Sequence, residues 1–285
     1  MKTASTTSQD SASNPTTRPA NFTRQTSNLT RKFWRNGQWH LIPLYHLLRL
    51  SDFMREGIER SGSYLFADHM YRNEASGRGF LGRLIDRVAL NLPATQAMRR
   101  RYVKATEALT MALIHRSGSL RVLALPCGLP RDVLDVVKRH PRFACRIDYI
   151  GMDLDEEVVQ AARDFLKPID LKSKRFLRGN ALEISDYPTE PIDFAISTGL
   201  GEFLNDQQLR TFYQNVFDRL APGGIFFTSA TTREPRSDYL LRNFELHTQY
   251  RTFSEMERLF SELPWKQVSL EKDVSGLQTF IRAVR

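Results

Sequence analysis

The 285-residue sequence predicts a doubly wound α/β domain, residues 119–285, carrying a helical region at its amino end. Three observations predict it. First, two short apolar runs at 122–125 and 147–152 flank a helical pattern at 131–138, which parses as strand, tight turn, helix, strand. Second, further apolar runs at 171–181, 192–197 and 225–230 alternate with helical periodicity, as stacked βαβ units do. Third, the runs at 266–270 and 277–284 are close enough in sequence to pair as a closing hairpin.

Residues 1–32 are rich in Ser, Thr, Asn and Arg, with Asp10 as the one acid, and read as a disordered tail. Residues 33–118 read as helical. At 33–60 the leucines 41, 44, 47, 48 and 50 continue into Phe53, Met54 and Ile58, with Arg49, Arg55, Glu56 and Glu59 between them, an amphipathic pattern with Pro43 near its start. An aromatic stretch containing Tyr64, Phe66, His69 and Tyr71 follows, then helical patterns at 80–90 and 94–115. Gly118 marks the break before the α/β domain.

The first strand of that domain leads into a turn and a helix, and the second ends at Asp153, roughly 20–25 residues past the turn. A carboxylate there can accept hydrogen bonds from both hydroxyls of a ribose, so a nucleoside-bearing ligand is implied. The turn reads Ala124-Leu125-Pro126-Cys127-Gly128-Leu129-Pro130-Arg131-Asp132. It resembles that of class I S-adenosylmethionine-dependent methyltransferases, which end the first strand in Asp/Glu-x-Gly-Cys-Gly-x-Gly-Arg-Asp. Cys127, Gly128, Arg131 and Asp132 match the pattern, whereas Ala124, Pro126 and Pro130 depart from it. The prolines argue against a dinucleotide, whose pyrophosphate needs glycines and free N–H groups. S-adenosylmethionine has no phosphate, and Pro130 suits a helix start.

The resemblance implies a Rossmann-like seven-stranded sheet with an antiparallel last strand. It also implies that the cofactor touches Leu125, Pro126, Cys127, Gly128 and Asp132, with Asp153 and Leu154 at the ribose. Asn180, Ala181 and Leu182 follow the third strand, where the family often has Gly-Asp-Ala beside the adenine; the Asn180 amide oxygen can still accept from an exocyclic amine. Ser197, Thr198 and Gly199 follow the fourth strand, where the family lines the methyl-transfer centre. Asp206 is placed to cap the helix at 207–220, and Ala221-Pro222-Gly223-Gly224 to stop it before the fifth strand.

Methyl transfer needs collinear positioning more than acid or base, and a base only when the nucleophile carries a proton. Glu202 and His69 are the candidate bases. Tyr64, Phe66, Tyr71, Phe203, His247 and Tyr250 are the candidate substrate contacts, the aromatics of the helical region by analogy with a lid. Residues 198–204 contain neither an Asn-Pro-Pro-Tyr-like segment nor a cysteine, which disfavours a nucleic-acid base as acceptor. The expected activity is methyl transfer to a small-molecule or lipid-like acceptor, with S-adenosylhomocysteine as product and no metal. Aminocarboxypropyl transfer from the same cofactor and a non-catalytic scaffold are the alternatives.

Charge is uneven: residues 1–118 hold 18 Lys/Arg against 8 Asp/Glu, and the remainder 23 against 24. The basic half, including Arg99-Arg100-Arg101, allows an anionic substrate, peripheral contact with an acidic membrane surface, or RNA, as well as an ordinary solvated face. Two cysteines give no disulfide framework, so a reducing cytoplasm is expected. No apolar run is long enough to span a bilayer.

Overall fold

The computed structural model describes residues 27–59, 63–235, 238 and 248–285. Six helices precede the sheet: α1 (Ser27–Arg35), α2 (Leu41–Leu48), α3 (Asp52–Glu59), α4 (Tyr64–Arg72), α5 (Gly79–Leu90) and α6 (Pro93–His115). The strands and remaining helices alternate as β1 (Leu120–Ala124), α7 (Arg131–Arg139), β2 (Ile147–Asp153), α8 (Glu156–Leu166), β3 (Ser173–Arg178), β4 (Ile192–Ser197), α9 (Asp206–Arg219) and β5 (Leu220–Thr231). Helix α10 (Phe253–Ser261), β6 (Gln267–Lys272) and β7 (Gln278–Val284) complete the chain. The seven-stranded sheet has the order β3-β2-β1-β4-β5-β7-β6. Strands β1 to β5 pair in parallel, and β7 runs antiparallel to both neighbours. The expected fold is observed.

Alternation along the strands divides the interior into two layers. Leu120, Val122 and Ala124 face α6, α7 and α8, where they pack with Leu109, Leu113, Val133, Val136, Val158 and Ala162. Leu123 and Leu125 face the opposite layer, built on Leu209, Phe212 and Val216 of α9 and Leu259 and Phe260 of α10. The inner face of α6 thus belongs by packing to the α/β core, which fixes the helical region to the sheet.

Four details differ from the expectations. The segment 33–60 forms three short helices rather than one, because Gly37 turns at φ +69° and Ser51 caps a new start by accepting from Met54 N–H at 2.9 Å. Residues 27–32, expected in the tail, belong to α1, since Leu29 and Phe33 are buried against Tyr45 and Ile58. Helix α9 is capped by Asn205 rather than Asp206: Asn205 and Gln208 exchange side-chain to backbone bonds in a capping box. Strand β5 begins at Leu220, not 225, pairing with Ile192 before an irregularity that carries Pro222-Gly223-Gly224. Gly224 is required there, since a Cβ would meet carbonyl oxygens at 2.8 and 2.9 Å.

The helical region has its own buried polar hub. Asp86 of α5 accepts from Ser76 N–H at 2.8 Å, Gly77 N–H at 2.6 Å, Phe53 N–H at 3.2 Å and the Ser51 hydroxyl. That one carboxylate pins α5 to the start of α3 and to the loop before α5. No helix among the described residues is long and apolar enough to cross a membrane.

Candidate functional site

The carboxyl ends of β1, β2 and β4 lie side by side, the position at which open α/β sheets hold their ligand crevice. The turn after β1 is stitched to both neighbours: Leu125 N–H donates to Ile196 O at 3.0 Å, and Cys127 N–H to Met152 O at 2.9 Å. The Leu125-Pro126 bond is cis, and Gly128 sits at φ +46°. A Cβ on Gly128 would lie 4.0 Å from the Tyr64 Cβ, so the first residue of α4 covers this turn. Asp68, one helical turn further, receives Arg131 from the start of α7, with Nη2 to Oδ2 at 3.0 Å and a second bond from Nε. Arg131 is therefore a latch between the helical region and the crevice.

On the other side, Asp153 ends β2 and accepts from Asp155 N–H at 3.2 Å, while its main-chain oxygen takes Gly179 N–H at 2.8 Å. Exposed Leu154 beside it offers an apolar ledge. The loop after β3 is held in place by its own bonds. Asn180 N–H donates to Asp186 at 2.8 Å, and Asn180 Oδ1 accepts from Leu182 N–H at 3.0 Å, which uses one of its two lone pairs. The Ala181 carbonyl accepts from the Tyr187 hydroxyl at 2.7 Å and the Asn215 amide at 3.2 Å.

The electrostatics of the crevice are unusual for so basic a protein. Asp132 and Asp153 are pushed up to about 6, in both cases chiefly by burial, with backbone N–H groups holding them down. Both lie near Cys127 and the Tyr149 hydroxyl, and no ion pair among the described residues involves either carboxylate. Burial also raises the Cys127 thiol, which stays protonated. The Ser197 and Tyr149 hydroxyls are buried without a hydrogen-bond partner among the described residues. Two buried carboxyls and two buried hydroxyls without a partner among the described residues thus stand near the ends of β1, β2 and β4.

Glu202 occupies a 3-10 turn at Gly201–Phe203, after β4. It was expected to act as a base, but its carboxylate is already engaged: Arg101 Nη1 donates at 2.6 Å and the Thr231 hydroxyl donates to the same oxygen. Gln278 in turn donates to Thr231 at 2.8 Å. Gly199, at φ +97°, lies against the pair, where a Cβ would come within 3.2 Å of the Arg101 guanidinium. Glu202 thus holds α6 to the ends of β4 and β5. Sequence reading missed Arg101 by treating residues 99–101 as a charge run. Its signal was the i+4 stripe Ala97, Arg101, Ala105, Leu109, every member of which is buried. Arg100 is engaged too, by Asp273 at 2.8 Å and Ser275 at 2.8 Å, and Arg99 by Leu90 O at 2.7 Å.

His69 is not brought to the crevice. Its Nδ1 lies 3.1 Å from Glu56 and its Nε2 2.9 Å from Glu74 O, so both nitrogens are used in tethering α4 to its neighbours. Glu56 is the first cause of the raised pKa of this imidazole. Phe66 is also internal to the helical region, stacked on Phe53 at 4.8 Å. Tyr71 turns toward α6: it stacks on Tyr102 at 4.6 Å and its hydroxyl lies beside Arg101. Tyr250 stands next to the 201–204 turn, because Gln249 N–H donates to Glu202 O at 2.8 Å and Arg251 to Gly201 O at 2.7 Å. Phe203 is exposed on that turn, and Thr198 lies between Ser197 and Gly199 at its entrance. His247 lies outside the described residues.

A separate recess of about 760 Å³ runs between α6 and strands β5 to β7, lined by Met111, Ala112, Leu120, Asp193, Phe227 and Phe280 among others. It opens at the amino ends of β1 and β4, away from the crevice.

The strand order, the antiparallel β7 and the crevice over β1 and β2 define a class I methyltransferase fold. The chain belongs to the family described as "Putative methyltransferase", which matches it over residues 10–285. It is 25% identical over 240 residues to the uncharacterized protein YnbC of Escherichia coli K12, covering 79% of this chain and 40% of that one. This chain therefore spans less than half the length of that relative. A crystal structure described as a possible exported protein of Bordetella parapertussis shares the fold with a TM-score of 0.74 at 18% identity, over 91% of this chain and 95% of that one. Magnesium protoporphyrin IX methyltransferase of Synechocystis PCC 6803, solved with bound SAH, shares it with a TM-score of 0.51 at 11% identity, over 76% of this chain and 93% of that one.

Proposed function

We propose that this protein binds S-adenosylmethionine in the crevice and catalyses methyl transfer to a small-molecule or lipid-like acceptor. One observation carries the reading: two recessed carboxylates, Asp132 at the start of α7 and Asp153 at the end of β2, are in no ion pair among the described residues. A nucleoside with an ammonium and a sulfonium group and no phosphate fits that donor set, whereas a dinucleotide would meet Pro126 and Pro130 where it needs N–H groups. Asp153 would take the ribose hydroxyls, Asn180 and Leu182 the adenine, and Leu154 its apolar face. Asp132 would meet the ammonium group, replacing the acidic residue that the family places where Ala124 stands.

When bound, S-adenosylmethionine supplies an electrophilic methyl group on sulfur. The work left to the chain is positioning: Ser197, Thr198 and Gly199 form the wall at the reacting centre, and Arg101 with Glu202 keeps that wall fixed against α6. Tyr71, Tyr64 and Tyr250 border the acceptor side. With Glu202 and His69 both engaged, an acceptor that presents an available lone pair suits this site better than one needing deprotonation by either of them. Free thiols at Cys127 and Cys145 suit a reducing, cytoplasmic setting.

Calorimetry with S-adenosylmethionine and S-adenosylhomocysteine tests the reading, and no heat with either would leave the fold as a scaffold. The affinity is expected to rise with pH between about 5 and 7, as Asp132 and Asp153 ionise. Stability of the unliganded protein should run the other way. A carboxyl raised from 3.8 to about 6 on folding contributes stability that is present below its unfolded value and lost as pH rises through about 6. Opposed slopes in binding and melting curves are the expected signature, and an affinity flat across that range would remove these carboxylates from the site.

The latch makes a further prediction. Arg131→Ala should release α4 from α7 and speed dissociation of S-adenosylhomocysteine several-fold in stopped-flow displacement, while the sheet keeps its thermal stability within about 1 kcal/mol. An unchanged off-rate would mean that α4 does not gate the crevice.

A further inference from the structure

Helix α5 presents the wrong residues to water. Its inner face, Gly82, Asp86, Ala89 and Leu90, is buried against α3 and the loop before it. At about 100° per residue, Phe80, Leu84, Val88 and Leu81 fall within an arc of roughly 100° on the opposite side. All four are exposed, at 77%, 43%, 60% and 45% respectively. A solvated helix would carry charge there. The charge present is of one sign: Arg78, Arg83 and Arg87 border the stripe and are exposed. The sole acid between residues 78 and 92, Asp86, is the buried hub and contributes nothing outside.

We propose that α5 is a docking face for a membrane surface containing anionic lipid, lying flat with its apolar stripe among the acyl chains and its arginines at the headgroups. Charge complementarity selects this occupant over a second copy of the chain. A two-fold interface on α5 would set Arg83 and Arg87 against their own symmetry mates with no exposed acid on the helix to separate them. The composition of the chain agrees, since its basic excess lies in residues 1–118. The inference stands apart from the crevice and does not depend on methyl transfer.

The test is co-sedimentation of the full chain with vesicles of phosphatidylcholine alone or mixed with phosphatidylglycerol, together with light scattering in free solution. Wild-type protein should sediment with the mixed vesicles, much less with the neutral ones, and less in high salt. The Phe80→Ser, Leu84→Ser double variant should lose about tenfold or more in partitioning. Arg83→Gln with Arg87→Gln should lose the preference for phosphatidylglycerol. Circular dichroism and an unchanged thermal melt would show these surface variants folded. Failure of the wild type to bind mixed vesicles at low salt would overturn the proposal. So would binding that survives both double variants, which would assign it to the basic tail, or a dimer that Leu84→Ser dissociates, which would assign the face to self-association.

Discussion

Replacing Asp153 with alanine is expected to weaken binding of S-adenosylhomocysteine by about 1–3 kcal/mol, a factor of roughly 5 to 150, with little or no loss of stability. The carboxylate sits at the end of β2, buried, oriented by Asp155 N–H at 3.2 Å, and pushed up to about 6. It is therefore a group whose ionised form is disfavoured in the unliganded protein and satisfied by two hydroxyl donors in the complex. Removing it relieves the first condition and forfeits the second. Calorimetry and thermal melting on the same sample separate these effects: affinity should drop while the unliganded melting temperature holds or rises. Asp132→Asn should act likewise, but on the methionine end. It should discriminate between S-adenosylhomocysteine and methylthioadenosine, which lacks the ammonium group, whereas Asp153→Ala should weaken both alike. An Asp153→Ala variant with parental affinity would remove the nucleoside from this crevice.

The fold was legible because the signals that set it are local and repeated. The turn 124–132, the Pro-Gly-Gly before β5 and the closing hairpin each specify one connection, and their order leaves few topologies. Gly128, Asp153 and Asn180 stand at strand ends and turns, as their sequence positions imply, because each lies in the chain segment that forms its own turn. The site was not legible where function comes from a distant element. His69 and Phe66 looked like site residues because aromatic density says nothing about which way a helix faces. In the structure they turn toward α3, whereas on the same helix Tyr64 covers the turn after β1 and Tyr71 stacks on Tyr102 of α6. Glu202 was found, but its role depends on Arg101, 101 positions earlier in the chain. Pairings across that separation leave no spacing pattern to read. What the sequence did hold was helical periodicity placing Arg101 among alanines and a leucine, a buried position that a lone arginine occupies only with a partner.

That pairing should dominate the response of this protein to mutation. Arg101→Leu leaves Glu202 buried beside Thr231 without its cation, and a loss of about 3–5 kcal/mol is expected. In a chain of this size that corresponds to a melting temperature lowered by roughly 6–20 °C. Glu202→Leu strands the guanidinium instead and should cost about as much, because burial weighs against the Arg101 charge while Glu202 is what sustains it. The double replacement, Arg101→Leu with Glu202→Leu, removes both charges and should recover most of the stability, leaving a coupling energy of several kcal/mol in the double-mutant cycle. Function would not recover with it. The pair fixes the 199–204 segment against α6, so the double variant should stay folded and bind S-adenosylhomocysteine more weakly, since Gly199 and its neighbours lose the guanidinium they pack against. Additive single-mutant losses below about 1 kcal/mol each would mean that water reaches the pair, and that the 199–204 segment is held by its other contacts, Arg251 to Gly201 O and Leu204 O among them.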